Sequence, residues 1–257
     1  MTGKIKNERK KKKQQNILFR ILFLLALAVF LYAAVRLILY GITYWKGSHE
    51  YKGLQKYVSE QPKDEISTEE NGEFTVDFSG LKELNPDCIG WIRFENINIS
   101  YPIMQGEDNE YYLKHTFEGQ AVTAASIFMD ANNHADFSDQ NTFIYGHNMK
   151  NGAMFANIKK FADHDYFINH PEVYIYLPDG SINVYSVYST KIIDATSDYY
   201  LKDIDYASYV ANAKSSAKQS RDVDTQNGAP LLLLSTCYAP DTTTRSVLFA
   251  RLEKNVK

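Results

Sequence analysis

The hydrophobic pattern changes character three times along the chain. Ile17 to Tyr44 is apolar except for Arg20 and Arg36. It has no polar face, so it predicts a membrane helix over 17–42 rather than an amphipathic core helix. Lys46 to Gly72 is polar and rich in Glu, Lys, Gln and Ser. It predicts one helix, 51–60, and then a flexible spacer through the acidic-polar run Asp64–Asn71. From Phe74 onward, short apolar runs alternate with turn residues such as Asn85-Pro86-Asp87 and Pro178-Asp179-Gly180. Strands are predicted over 88–94, 97–104, 126–130, 142–147, 173–177, 182–193, 230–237 and 245–252. Helices are predicted over 110–115, 154–161 and 206–220, the first capped by Asp108 or Asn109. About eight short strands with inserted helices and no repeat period read as a mainly antiparallel barrel or sandwich.

One run stands out from this pattern. Pro230 to Cys237 reads P-L-L-L-L-S-T-C. Four consecutive leucines between turn signals (Gln226-Asn227-Gly228 before, Tyr238-Ala239-Pro240-Asp241 after) fit a strand buried on both faces. Cys237 then sits where a rigid strand emerges into a loop, and Arg245 opens the next strand-like run eight residues later.

Charge separates the two ends of the chain. Ten of the 28 Lys and Arg, but one of the 31 acids, lie in residues 1–46. The remaining body of about 210 residues carries a net charge of −12, enough chain for one sizeable domain and the wrong sign for nucleic acid. The basic residues before the apolar run keep that side in the cytoplasm, with the C-terminal body outside. Arg20 and Arg36 can snorkel, and Tyr40, Tyr44 and Trp45 form an interfacial group. A cleaved signal peptide is the rival reading, with a weak site at Ala26-Leu27-Ala28, but the apolar run continues well past it. The expected division is a basic tail at 1–16, the membrane helix at 17–42, a polar linker at 43–75 and an external domain at 76–257.

The two cysteines, Cys88 and Cys237, do not indicate a bridge in a domain this large. Cys237 has two readings: an inert buried thiol, or a nucleophile activated by a histidine and an arginine. Cys88, in a strand with neither partner nearby, reads as structural. Of six histidines, His147 ends a strand in Tyr145-Gly146-His147-Asn148 and carries the most weight as acid/base. Asn132-Asn133-His134-Ala135-Asp136 lacks a second ligand cluster for a metal. No phosphate loop, CxxC, HExxH or GxSxG occurs, so no metal or cofactor is expected.

Taken together, Leu234-Ser235-Thr236-Cys237, Arg245 and Tyr145-Gly146-His147-Asn148 resemble the sortase family, the membrane-anchored cysteine transpeptidases of Gram-positive bacteria. The resemblance runs from about residue 80 to the C-terminus. Asn85-Pro86-Asp87 with Gly90-Trp91-Ile92, Tyr101-Pro102, Asp108-Asn109 with Tyr112-Leu113, and the helix at 206–220 are similar to class B in particular. The resemblance implies an eight-stranded sortase barrel with inserted helices. It implies cleavage of a sorting motif of surface proteins after threonine, through a thioacyl on Cys237, and transfer to an amine of a cell-wall precursor. His147 would be the acid/base, and Arg245 would position substrate and stabilise the oxyanion. Asn109, Leu113, Tyr145 and Ser235 would line the substrate groove, and the Tyr238 backbone N–H would contribute to the oxyanion site. Two features depart from the pattern: Cys88 stands where class B members more often have an aliphatic residue, and Tyr238-Ala239-Pro240 is not the acidic pair that some members carry after the nucleophile. The rival functions are a pilus-assembling sortase with a pilin lysine as acceptor, a non-enzymatic membrane-tethered peptide-binding domain, and a hydrolytic cysteine protease of another fold.

Overall fold

The computed structural model describes residues 2–60, 74–122, 125–224, 228–238 and 243–257. The expected spacer at 61–73 and the turn residues Gln226, Asn227 and Ala239–Asp241 lie outside the described residues. The chain divides into two units, Met1–Lys46 and Gly47–Lys257.

One helix, α1 (Thr2–Leu54), runs through the first unit and into the second. It is longer at both ends than the helix expected at 17–42. Asn16–Leu39 within it is long and apolar enough, by length and composition, to cross a membrane. Its 24 residues span ~36 Å, against a hydrocarbon core of ~30 Å. In the second unit Tyr51 and Leu54 are buried. The helix expected to continue to Glu60 instead gives way to a 3₁₀ turn, Gln55–Tyr57, and a strand, β1 (Val58–Glu60). β1 pairs antiparallel with β2 (Phe74–Val76), and a Ser59–Thr75 hydroxyl contact of 2.6 Å crosses the pair. Tertiary pairing has overridden local propensity here.

A short helix not anticipated from the pattern, α2 (Phe78–Leu84), follows. Asp77 caps it by accepting from the Gly80 N–H at 3.0 Å, and its one buried side chain is Leu81.

Among the described residues, eight strands then close a barrel. They are β3 (Cys88–Arg93), β4 (Ser100–Met104), β5 (Ile127–Met129), β6 (Asn141–Tyr145), β7 (Glu172–Tyr176), β8 (Ile182–Asp194), β10 (Leu231–Cys237) and β11 (Thr244–Val256). Their order is β11-β10-β6-β5-β4-β3-β7-β8, and β8 returns to β11. A two-residue strand, β9 (Gln219–Ser220), adds to β8. The pairing is mainly antiparallel, as expected, with two parallel exceptions: β4 with β5 and β6 with β10. Both join strands through crossovers, the first carrying the short helix α3 (Tyr111–Lys114). The helix expected at 154–161 is a 3₁₀ segment, Ala156–Ala162, and α4 (His164–Asn169) follows it. Between β7 and β8, Gly180 takes φ 85° in the expected turn, a conformation that costs glycine least.

The leucine run lies in β10, between β6 and β11, and its two faces serve two cores. Leu232 and Leu234 join the barrel interior with Trp91, Ile103 and Leu248. Leu231 and Leu233 face outward with Phe143, Val247 and Phe249. That outer core is covered by α5 (Tyr206–Lys214) through Tyr209, Val210 and Ala213. α5 is shorter than the helix expected at 206–220. Ser216 turns left-handed at φ 56°, and Lys218 donates to the Thr190 carbonyl at 2.9 Å, which draws the chain back onto β8.

Candidate active site

Cys237 is the last residue of β10 and pairs in register with Arg245 on β11. Residues directly opposite in an antiparallel pair project their side chains from the same face. By alternation, that is the outward face carrying Leu231, Leu233 and Ser235. The thiol and the guanidinium therefore share one side of the sheet. Arg245 Nη1 donates to the Thr244 carbonyl at 3.2 Å.

The histidine arrives on the other flank. Tyr145 of β6 pairs in parallel with Ser235, and the Gly146 N–H donates to the Ser235 carbonyl at 3.0 Å. Gly146 has a specific reason to be glycine: an added Cβ would lie 2.6 Å from the ring of buried Phe155. The chain continues past His147 to Asn148, whose side-chain amide donates to the Cys237 carbonyl at 2.8 Å. His147 is thus bracketed by two bonds to β10. Its Nε2 lies 2.9 Å from the Leu113 carbonyl. A carbonyl only accepts, so Nε2 carries the proton and the neutral ring keeps its lone pair on Nδ1. Burial lowers the His147 pKa from its ordinary value, and the Leu113 bond opposes this in part. The resting imidazole is neutral at neutral pH.

Tyr145 leads into a polar network. The Tyr145 hydroxyl donates to Asp130 Oδ2 at 2.9 Å, and the Asn109 amide donates to the same oxygen at 2.8 Å. The Ala131 N–H donates to Asn109 Oδ1 at 2.8 Å. Burial and the Asp130 charge push the Tyr145 phenol up, while the Arg245 charge opposes them. Ser235 is buried, and its hydroxyl lies 2.7 Å from that of Tyr200. Burial also raises the Tyr200 phenol, and the charges of Arg245 and Cys237 both act on it. The Tyr238 N–H donates to the Thr244 carbonyl at 3.1 Å. That donor is engaged in the hairpin.

Comparisons with known proteins identify the family. A sortase domain family model matches residues 92–253, well over half of the chain. The chain belongs to the sortase family, in class B. It is 32% identical to sortase B of Listeria monocytogenes over 234 residues, 88% of this chain and 92% of the relative. The solved structure of Clostridium perfringens sortase B matches with TM-score 0.63 and 32% identity, over 68% of this chain and 99% of that one. A Streptococcus pyogenes class B sortase involved in pilus biogenesis matches with TM-score 0.64 and 28% identity, over 69% and 98%. As a sortase the chain is a cysteine transpeptidase, and sortases act on sorting-motif surface proteins with amine nucleophiles.

The remaining candidates of this sortase are placed as follows. Cys88 is buried opposite Met104, and burial pushes its thiol up to about 12, so it stays protonated. Asn109 has both ends of its amide engaged with Asp130 and Ala131. Leu113 meets His147 through its carbonyl, a backbone group that side-chain reasoning does not see. Tyr238 is exposed at the strand end. His115 stacks on Tyr111 at 4.2 Å, and His134 pairs with Asp139 at 2.8 Å. Among the described residues no group of three or more His, Cys, Asp or Glu could hold a metal ion. Three site residues had no role in the sequence-based reading: Asn148, Asp130 and Tyr200. Asn148 was within reach, since it adjoins His147 in a recognised motif. Asp130 and Tyr200 carried no local signal.

Proposed function

We propose that this sortase cleaves a sorting motif after its threonine and passes the acyl group to an amine of a cell-wall precursor. His147 Nδ1 first takes the Cys237 thiol proton; the thiolate then attacks the threonine carbonyl carbon, and the electron pair moves onto the oxygen. Arg245 holds that oxyanion. The C–N bond breaks, and protonated His147 gives its proton to the leaving amine from Nδ1. The result is a thioester on Cys237. The acceptor amine attacks it, His147 takes up the amine proton, and the thiolate leaves. Asn109, Leu113, Tyr145, Ser235 and Tyr238 border the peptide groove in this reading. Ser235 meets the peptide together with Tyr200, whose hydroxyl lies 2.7 Å from its own. Asn16–Leu39 anchors the enzyme in the cell membrane, with the basic N-terminal residues in the cytoplasm and the barrel outside.

The observation that carries the proposal is the register pair of Cys237 with Arg245, flanked by the bonds from Gly146 and Asn148 that hold His147 beside them. The test is Cys237→Ala in a sorting-peptide cleavage assay. Cleavage is abolished while the circular dichroism spectrum is unchanged. Retained cleavage would remove Cys237 as nucleophile, and a non-catalytic peptide-binding domain would then be the better description.

The likeness to the Streptococcus pyogenes enzyme favours a second acceptor, a lysine of a protein subunit. Competing a lysine-bearing protein against a cell-wall precursor amine, with the products resolved by mass, separates the two.

A further inference from the structure

The connection from β8 to α5 crosses the outer face of the sheet beside Ser235. Four consecutive residues in it are each tied to a different part of the fold. The Tyr199 hydroxyl accepts from Lys191 Nζ at 3.0 Å and donates to the Asn212 carbonyl at 2.8 Å. The Tyr200 hydroxyl meets Ser235 Oγ at 2.7 Å. The Leu201 carbonyl accepts from the Asn141 side-chain amide at 3.0 Å. Lys202 Nζ lies 2.9 Å from Asp139 Oδ1 and donates to the Asn132 carbonyl at 2.6 Å.

Asp139 is a fixed post. Its side chain is only 7% exposed. Its carboxylate also accepts from Asn133 Nδ2 at 2.8 Å, from the His134 N–H at 2.6 Å and from His134 Nδ1 at 2.8 Å. Asn133 is locked in turn to β6: it donates to the Asn141 carbonyl at 3.0 Å and accepts from the Phe143 N–H at 2.9 Å. Burial pushes the Asp139 carboxyl up, but these donors and Lys202 together outweigh it and hold the carboxyl well below the usual range. The Lys202 head therefore meets a charge that is permanently present at physiological pH. The residues held this way lead directly to Tyr200, which stands over Ser235, two positions before Cys237 on the same face.

We propose that the Lys202–Asp139 pair is a latch that positions the wall of the peptide groove: it fixes residues 199–202 so that Tyr200 sits in register over Ser235 for recognition of the sorting peptide. The inference rests on the sortase reading above and deepens it. Lys202 and Asp139 are positioning residues; neither touches the reacting atoms. Without the latch, ordering the strip becomes part of the cost of binding peptide, and affinity falls while the chemistry at Cys237 does not.

The experiment uses the full-length enzyme and two substitutions. Lys202→Met keeps the apolar stem and leaves Asp139 its three other donors, so the fold is retained. Lys202→Arg keeps the charge. Two readouts are taken: steady-state cleavage of an internally quenched sorting peptide, and hydrogen exchange over residues 195–204. In Lys202→Met the KM rises about fivefold or more with kcat within about twofold, and exchange in 195–204 speeds up while α5 is unchanged. Lys202→Arg restores both. Faster exchange with an unchanged KM makes the pair merely structural and overturns the latch, as does no change in either. A loss confined to kcat also overturns it. Absence of turnover in the wild-type enzyme refutes the sortase reading instead, and the recognition role falls with it; the exchange data still report whether Lys202 pins the strip.

Discussion

Removing the Arg245 guanidinium tests the chemistry where it is most exposed to error. In an antiparallel pair the Cβ atoms of opposed residues stand ~5 Å apart, so the Arg245 guanidinium is long enough to reach the Cys237 sulfur and, in the proposed mechanism, the carbonyl it attacks. The neighbouring backbone donor is spoken for: the Tyr238 N–H bonds to the Thr244 carbonyl at 3.1 Å. In the proposed mechanism the guanidinium therefore carries a larger share of the oxyanion charge than it would beside a free backbone donor. A unit charge pair at ~4 Å is worth about 4 kcal/mol at an effective dielectric constant of ~20. Deleting one oxyanion donor elsewhere costs about 3–4 kcal/mol. The two routes agree, and each ~1.4 kcal/mol is a factor of ten. Arg245→Ala should therefore lose about 10²–10³ in kcat, with kcat/KM falling by the same factor. Arg245→Lys keeps a point charge but not the fork, and should fall between the two. The assay is steady-state cleavage of an internally quenched sorting peptide, with the fold checked by circular dichroism. A kcat within threefold of wild type, or a loss seen in KM alone, would refute the role of Arg245 as oxyanion donor.

Three further outcomes follow from the same geometry. Asn148→Ala deletes the bond to the Cys237 carbonyl and should cost about 1 kcal/mol of stability, read as a modest drop in Tm, with kcat reduced because the end of β10 is less well held. Unchanged values of both would show that Asn148 does not support the strand end. Gly146→Ala drives a methyl into the Phe155 ring and should cost about 1–3 kcal/mol by overpacking, at about 2–4 °C of Tm per kcal/mol; a Tm equal to wild type would contradict that contact. The third concerns pH. His147 has a lowered pKa in the fold, so between ~6.5 and that lower value the unfolded chain binds more protons. Wild-type stability relative to His147→Gln should be constant above pH ~6.5 and decline as pH falls below it. Parallel Tm-versus-pH curves for the two proteins would contradict the burial of His147 as a neutral ring.

How much of this was visible in the residues differs from element to element. The leucine run in β10 was legible because both of its faces are buried, which leaves no polar alternation to confuse. Its parallel partner β6 was not legible, since no periodicity records which of several apolar strands will lie beside it. The register of Cys237 with Arg245 followed from closeness in sequence, since the two residues close a single hairpin. α5 was placed at its start but overrun at its end, because a left-handed Ser216 is a choice made by tertiary contacts with β8. His147 emerged from a motif, yet its acceptor is the Leu113 carbonyl, a backbone group identical in every residue type. Tyr200 lay in a stretch with no periodic pattern, and only folding brings it onto Ser235. The Tyr238 N–H, which the family resemblance implies as an oxyanion donor, bonds to the Thr244 carbonyl, a contact that only the folded hairpin reveals.

The most direct measurement is the mass of the intact enzyme after rapid mixing with a sorting-motif peptide and quenching in acid. An increase equal to the acyl fragment ending in threonine, mapped by digestion to Cys237 and discharged by an added amine, is the predicted result. No adduct during active cleavage, or an adduct on any residue other than Cys237, would contradict the thioacyl route.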